Sequence, residues 1–320
     1  MKKSVKILGI IGIILLTLLL LSIVGMSIFT GQSMLDGAMK MFSNEDTKEN
    51  SLNYLKNDGF DIEKDFAAYV DNIKKVTIPS SKHQHTIPAD YITVNGSEDN
   101  NTVILVHGLG GDRRTTYPIA KMFLEHGFNI VAYDQRNSGD NLAEYNTFGY
   151  LESDDLEDCV DFVRTKVSPD KRVGVLGISM GGATAGFYSG KQHASDNIDF
   201  VILDSPISNM EYMIETGTSE MDIGIPLSYL MFCGNWATKT KLGFFYKDMN
   251  VPKTVAGSTV PTLIIYSKED DVTPYFMAED IYNAIPHNKK YLYTLENGKH
   301  ATAFDIDKSK YTKEVMNFID

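Results

Sequence analysis

At 320 residues the chain is long for an average domain, yet within reach of one large α/β domain carrying an appendage. Hydrophobic residues at 43% and charged residues at 22% exclude a mainly disordered, collagen-like or polytopic membrane protein. A formal net charge of −12 opposes binding to a phosphate backbone, so no nucleic-acid partner is expected. Cys159 and Cys233 are the only cysteines. They are too few for a disulfide framework or a thiolate zinc site and read as two unrelated buried thiols.

The chain opens with an uncharged run over residues 7–29, in which Ile, Leu, Val and Phe fill 16 positions. As a helix it would be roughly 35 Å long, enough to cross a hydrocarbon core of about 30 Å. At about −0.3 kcal/mol for each strongly apolar residue, insertion is favoured by roughly 5 kcal/mol. The run is too long for the core of a cleaved signal, and Val24-Gly25-Met26 is a poor cleavage site, so an uncleaved anchor is expected. Lys2, Lys3 and Lys6 precede it, whereas Asp36 comes before the first lysine on its other flank, Lys40. That asymmetry puts the N-terminus in the cytoplasm and the body outside the cell membrane.

Residues 30–75 are polar with scattered apolar positions, and 51–69 reads as one or two short amphipathic helices broken near Asp58-Gly59: a membrane-proximal stalk or a flap on the main domain. An alternating stretch at 87–94 suggests a leading antiparallel hairpin. Short β-rich runs follow at 102–107, 129–133, 172–177, 200–203, 262–266 and 290–295, several of them continuously apolar, as strands buried on both faces should be. Helical stretches at 117–125, 154–166, 181–190 and 275–283 fall between most of them. The pattern predicts a mostly parallel twisted sheet with helices on both faces. Between the strands at 200 and 262 lies an insertion, 206–258, rich in Met and aromatic residues and holding the only tryptophan, Trp236. It is too long for an ordinary connection and is expected to form a helical cap.

The central chemical signal is Gly177-Ile178-Ser179-Met180-Gly181-Gly182, directly after an apolar strand and opening a helix of small residues. A strained strand-to-helix turn of this kind presents the serine Oγ at the carboxyl end of a sheet, with small neighbours because strand and helix backbones nearly touch. Serine needs a base. Of the histidines after Ser179, His193 lies at the far end of the helix that Ser179 starts and His287 precedes the last strand, leaving His300 in the loop after it. An acid should follow the penultimate strand, where Glu269-Asp270-Asp271 stands. Asp270 is favoured by its spacing to Thr273-Pro274, with Asp271 and Asp204 as rivals. Backbone N–H groups of Met180 and of Leu109, in His107-Gly108-Leu109-Gly110-Gly111, are the expected oxyanion donors. His107 itself reads as structural.

Other chemistries find less support. A dinucleotide fingerprint would need Gly where Arg113 stands. His83-Gln84-His85 lacks a nearby third ligand, and no phosphate-binding Gly-Lys-Ser/Thr motif occurs, so no cofactor and no metal are expected.

These residues resemble the α/β-hydrolase superfamily, more narrowly its bacterial serine-aminopeptidase and esterase branch with membrane-anchored or exported members. The resemblance spans roughly residues 85–320. It is carried by the 107–111 loop, by Tyr133-Asp134-Gln135-Arg136-Asn137-Ser138-Gly139-Asp140, by Thr147-Phe148-Gly149-Tyr150 with Glu152 and Asp155, and by Ser179, Asp270 and His300 in their settings. Asn137 departs from a common Gly, and Ser267 from a His-Gly pair that often precedes the acid. The resemblance implies an α/β-hydrolase fold over 77–320, after an anchor at 1–30 and a membrane-proximal helical segment at 31–76. It also implies a cofactor-free Ser-His-Asp hydrolase acting on a small ester, acyl or peptide substrate. The Met- and aromatic-rich insertion favours a carboxylesterase over a peptidase or acyltransferase, with a non-catalytic binding protein as the reading from another class.

Overall fold

The computed structural model describes residues 2–167, 170–221 and 223–320; Met1, the first residue of the expected anchor, lies outside them. Eight strands, β1 (Ile73–Pro79), β2 (Thr86–Ile92), β3 (Thr102–Val106), β4 (Asn129–Tyr133), β5 (Val173–Ile178), β6 (Phe200–Asp204), β7 (Thr262–Ser267) and β8 (Lys290–Leu295), form one sheet in the order β1-β2-β4-β3-β5-β6-β7-β8. All neighbours from β4 through β8 pair in parallel, while β2 pairs antiparallel with both β1 and β4. Every residue of β3, β4, β6 and β7 is buried, as the uninterrupted Val, Ile and Leu runs require. The edge strand β1 carries exposed Lys74 and Lys75, charges that keep an open edge from pairing with another chain.

The helices are α1 (Lys2–Met39), α2 (Asn44–Asn57), α3 (Ile62–Asp65), α4 (Tyr117–Glu125), α5 (Glu152–Phe162), α6 (Met180–Ser189), α7 (Gln192–Asn197), α8 (Met210–Ser219), α9 (Leu227–Leu242), α10 (Val251–Val255), α11 (Phe276–Ala284), α12 (Ala303–Ile306) and α13 (Lys308–Ile319). Side chains of α4 and α13 share a core with one face of the sheet, through Val103, Leu105, Ile130, Leu176 and Ile202. The helices α5, α6, α10 and α11 form a second layer, with α6 against β5 and β6 and α11 against β7 and β8. Strands sandwiched by helices are the expected outcome of the alternating pattern.

The chain divides into two compact units, residues 40–210 with 249–320, and residues 1–39 with 211–248. The boundaries differ from those expected at 30, 76, 206 and 258. Residues 31–39 continue α1, because nothing before Met39 breaks the helix. Residues 40–72 join the sheet unit: α2 starts on a capping box, in which the Asp46 N–H donates to Ser43 Oγ at 3.1 Å and the Ser43 N–H donates to Asp46 Oδ2 at 2.9 Å. The ends of the insertion also belong to the sheet unit, closed by the Met210 N–H donating to the Met249 carbonyl at 3.1 Å and the Val251 N–H donating to the Ser208 carbonyl at 2.8 Å.

In the smaller unit, α1 and α9 lie side by side. Residues 6–26 of α1 are exposed throughout, and an 18-residue window there has a mean hydropathy of 3.1, long and apolar enough to cross a membrane. Burial begins at Ser27 and recurs at Thr30, Gly31, Leu35 and Met39; on this side of α1, Ser27 meets Tyr229, Gly31 meets Cys233 and Ala237, and Met34 meets Gly234 of α9. Both cysteines are free and buried.

Candidate active site

In the sheet order, β3 has β4 on one side and β5 on the other, so the loops leaving β3 and β5 diverge and open a crevice at the carboxyl edge, where open α/β sheets place their sites. Ser179 follows β5 there with φ 55° and ψ −117°, a conformation that costs a non-glycine residue about 1–3 kcal/mol. Its surroundings hold it in place. The Ser179 N–H donates to the Asp204 carbonyl at 2.8 Å, and its own carbonyl accepts from the Ala183 N–H at 3.0 Å to begin α6. The flanking glycines leave no space: a Cβ on Gly177 would lie 2.0 Å from the Gly181 carbonyl oxygen, and one on Gly181 would lie 2.1 Å from that of Val106.

His300, in the loop after β8, places Nε2 2.8 Å from Ser179 Oγ and Nδ1 2.9 Å from Asp270 Oδ2. The Asp270 side chain is inaccessible to solvent and accepts from the N–H groups of Val272 and Thr273 at 2.9 and 2.8 Å and from the Thr273 hydroxyl at 3.0 Å. The spacing Asp270 to Thr273 thus acts as a carboxylate-centred turn aimed at the imidazole. Asp271 points elsewhere, into an exposed ion pair with Lys299 at 3.1 Å. Asp204 accepts from the Tyr311 hydroxyl at 2.9 Å and the Ser205 hydroxyl at 3.1 Å. Burial raises its pKa to about 6, against the opposing pull of those two hydroxyls and of His300. The Ser267 hydroxyl donates to the Gly298 carbonyl at 2.7 Å, tying the loop that carries His300 to the end of β7.

On the other side of the crevice, Gly108 packs against Ser179, with its Cβ position 3.4 Å from the serine Cβ. The 107–111 loop is braced from β4. His107 has Nδ1 2.7 Å from the Gly108 carbonyl, and its Nε2 accepts from the Gln135 N–H at 3.0 Å, which makes it the neutral Nδ1–H tautomer. Burial lowers its pKa and keeps it neutral. The Gln135 side chain closes the frame, donating to the His107 carbonyl at 2.6 Å and accepting from Thr184 of α6 at 2.6 Å. Arg113 holds Asp134, Asp90 and Asp140 beneath this loop. Asn137 has φ 53°, a backbone region that Asn tolerates better than most side chains, so the replacement of a common Gly is accommodated.

A cavity of about 350 Å³ opens onto Ser179 and His300. Leu109 and Gly110 line it, with Ile119, Ile178 and Phe304 as apolar wall; Met180 is the buried first residue of α6. Three more lining residues, Phe42, Asn50 and Tyr54, come from α2 and the turn before it, and sequence reasoning did not assign them to the site. The Asn50 amide donates to the Gly110 carbonyl at 3.0 Å, and the Tyr54 hydroxyl donates to Asp305 at 3.4 Å. The face α2 buries is Thr47, Ser51 and Leu55, spaced four apart but two-thirds hydroxyl, so it leaves little hydrophobic signature. The capping box Ser43 to Asp46 was the available signal.

His83 and His85 pair with Asp154 at 3.3 Å and Asp155 at 3.0 Å, and among the described residues no cluster of three or more His, Cys, Asp or Glu side chains is arranged to hold a metal ion. A family profile described as alpha/beta hydrolase fold matches residues 101–225. The chain is 26% identical over 282 residues to the uncharacterized protein YqkD of Bacillus subtilis, covering 88% of this chain and 90% of that one. It is 29% identical over 229 residues to the uncharacterized protein YfhR of Escherichia coli O157:H7, covering 70% and 72%. Among solved structures, the Pyrococcus furiosus esterase Pf2001 superposes with a TM-score of 0.62 at 20% identity, covering 83% of this chain and 92% of that chain.

Proposed function

The chain belongs to the α/β-hydrolase superfamily, and from that premise we propose that it hydrolyses carboxylic esters as a serine hydrolase, through an acyl-enzyme. The observation that carries this reading is the chain of contacts from Asp270 through His300 to Ser179, ending in a cavity with a largely apolar wall. Ser179 Oγ attacks the acyl carbonyl while His300 Nε2 takes its proton, and Asp270 holds the imidazole by Nδ1 and stabilises the imidazolium. The backbone N–H groups of Leu109 and Met180 receive the developing oxyanion, each worth about 10² to 10³ in rate. His300 then protonates the departing alcohol. Water, deprotonated by the same nitrogen, attacks the acyl-serine, and collapse of the second tetrahedral intermediate returns the proton to Ser179.

The helix α1 serves as an uncleaved membrane anchor with its N-terminus in the cytoplasm and the body outside. Supporting this are its exposed apolar surface over residues 6–26, the lysines at its start, and its packing on α9, where Gly31 lies against Cys233 and Ala237. Labelling with a fluorophosphonate tests the chemistry: the wild-type protein reacts and Ser179→Ala does not. Hydrolysis of p-nitrophenyl acyl esters is expected to exceed that of aminoacyl anilides. A wild-type protein inert to the phosphonate, or faster on anilides, would defeat the esterase reading.

A further inference from the structure

The smaller unit exposes a second apolar surface besides that of α1. Ser27 Oγ and the Tyr229 hydroxyl lie 2.8 Å apart, Gly31 backs onto Cys233 and Ala237, and Gly234 onto Met34. Residue numbers rise together along both helices, so α1 and α9 run parallel and α9 starts at the level of Ser27. That level lies inside the uncharged run, two residues before its end at Phe29. The segment leading into α9 therefore lies toward the apolar end of α1. It presents Met221, Ile223 and Ile225 at 61%, 53% and 43% exposure. Along α9, Phe232 and Trp236 are 60% and 51% exposed, four residues apart on the side away from the α1 contact, with ring centroids 6.4 Å apart. Lys239 and Lys241 follow in the last turn.

We propose that this surface, residue 221 with residues 223–236, is seated in the lipid leaflet that α1 leaves, so that the protein enters its membrane through two elements rather than one. The inference rests on the reading of α1 as a span, and its occupant is the lipid of that same bilayer. Three observations favour lipid. The surface is continuous with α1, because Tyr229 is bonded to a residue within the apolar run. Its order from the segment before α9 to the end of α9 is aliphatic, then aromatic, then lysine, the sequence of environments met on passing from acyl chains through the interface to anionic headgroups. And a tryptophan ring half exposed on a helix, with its neighbours aliphatic and aromatic, is suited to the interface, where one side is apolar and the other wet.

Trp236 is the only tryptophan, so the full-length protein carries its own depth probe. Reconstituted into phosphatidylcholine vesicles, it should emit at blue-shifted wavelength and lose most of its emission when bromine is placed on the acyl chains near the headgroups, while resisting aqueous iodide. A second protein, Leu18→Trp with Trp236→Phe, reports the middle of α1. Quenching of both probes by brominated lipid supports the proposal. Quenching of residue 18 alone leaves the anchor standing and overturns the seated surface. Quenching of neither removes the anchor reading and this inference with it. If Trp236 is shielded from iodide yet untouched by bromolipid, a protein partner or a second copy covers the surface and the proposal fails.

Discussion

The larger unit hides charge. Arg113 is buried among Asp90, Asp134 and Asp140; Glu152 is fully enclosed, accepting from Thr147 and Gly149; and Asp204 lies under Tyr311. The smaller unit buries no Asp, Glu, His, Lys or Arg among the residues whose burial is described, and displays hydrocarbon instead. Several of its hydroxyls return to their own helices, Thr17 to Ile13, Ser27 to Ile23, Thr218 to Ile214 and Thr238 to Gly234, at 2.6 to 2.9 Å, while Ser27 also meets the Tyr229 hydroxyl across the helix pair. With α1 read as a membrane span, as proposed above, the two units become solutions for different solvents. In water a fold must pair the polar groups it removes, and the larger unit uses that pairing to hold Asp270 against His300. In lipid the backbone and hydroxyls are satisfied within each helix and the apolar surface faces outward.

Three experiments would break or sharpen this comparison. The largest effect is expected where the buried pairing poses chemistry: Asp270→Asn should lower kcat on a p-nitrophenyl ester by about 10⁴, by favouring the wrong tautomer of His300. Asp271→Asn, at an exposed ion pair, should leave it nearly unchanged. Equal losses in the two variants would mean that the Asp270 pairing has no special role. Next is Asp204, whose carboxyl ionises near pH 4 in the unfolded chain but at about 6 in the fold. The unfolded chain binds fewer protons in that window, so the wild type loses stability as pH rises from 4 to 6. Asp204→Asn lacks the penalty and should gain about 3 kcal/mol on the wild type between pH 4 and pH 7 in denaturant unfolding. A pH-independent difference would show that the carboxyl is not held protonated. The smallest effect probes the smaller unit: a Cβ on Gly31 would lie 2.7 Å from the Cys233 carbonyl oxygen, whereas at Gly12 nothing lies within 4 Å. Gly31→Ala should cost about 1–3 kcal/mol in micellar thermal unfolding, while Gly12→Ala should be neutral or slightly stabilising. Identical behaviour would mean that α1 and α9 are not closely packed.

What could be read from the sequence follows from how strongly one force dominates each segment. The central parallel strands announced themselves because both faces are apolar, and β4 was placed to the residue; the partly exposed edge strand β8 was placed to the residue as well, on its run of Tyr, Leu and Thr. Ser179, Asp270 and His300 were singled out because a fixed chain order narrows the choice before geometry is known, and His300 lies within hydrogen-bonding distance of both of the others. The strand β1 went unread since Lys74 and Lys75 sit at an exposed edge and suppress both apolar content and alternation. The part played by α2 went unread for a related reason: Thr47 and Ser51 hold it by hydroxyls, with the Gly139 N–H donating to Thr47 at 2.9 Å and the Asp112 N–H donating to Ser51 at 2.8 Å. Such bonds are specific in space but silent in a hydrophobicity pattern. Ser267, which departs from the family pattern, acquires a reason only once Gly298 is seen beside it.

The position of α2 limits how far the chain can be trimmed from its N-terminal side. Phe42 and Asn50 already wall the cavity, and Ser43 caps the helix that carries Asn50 and Tyr54. A shortened protein that begins near Lys40 keeps that wall, whereas one that begins after residue 54 leaves the pocket with one side missing. The margin between a spare leader and a working part is therefore only a few peptide bonds wide.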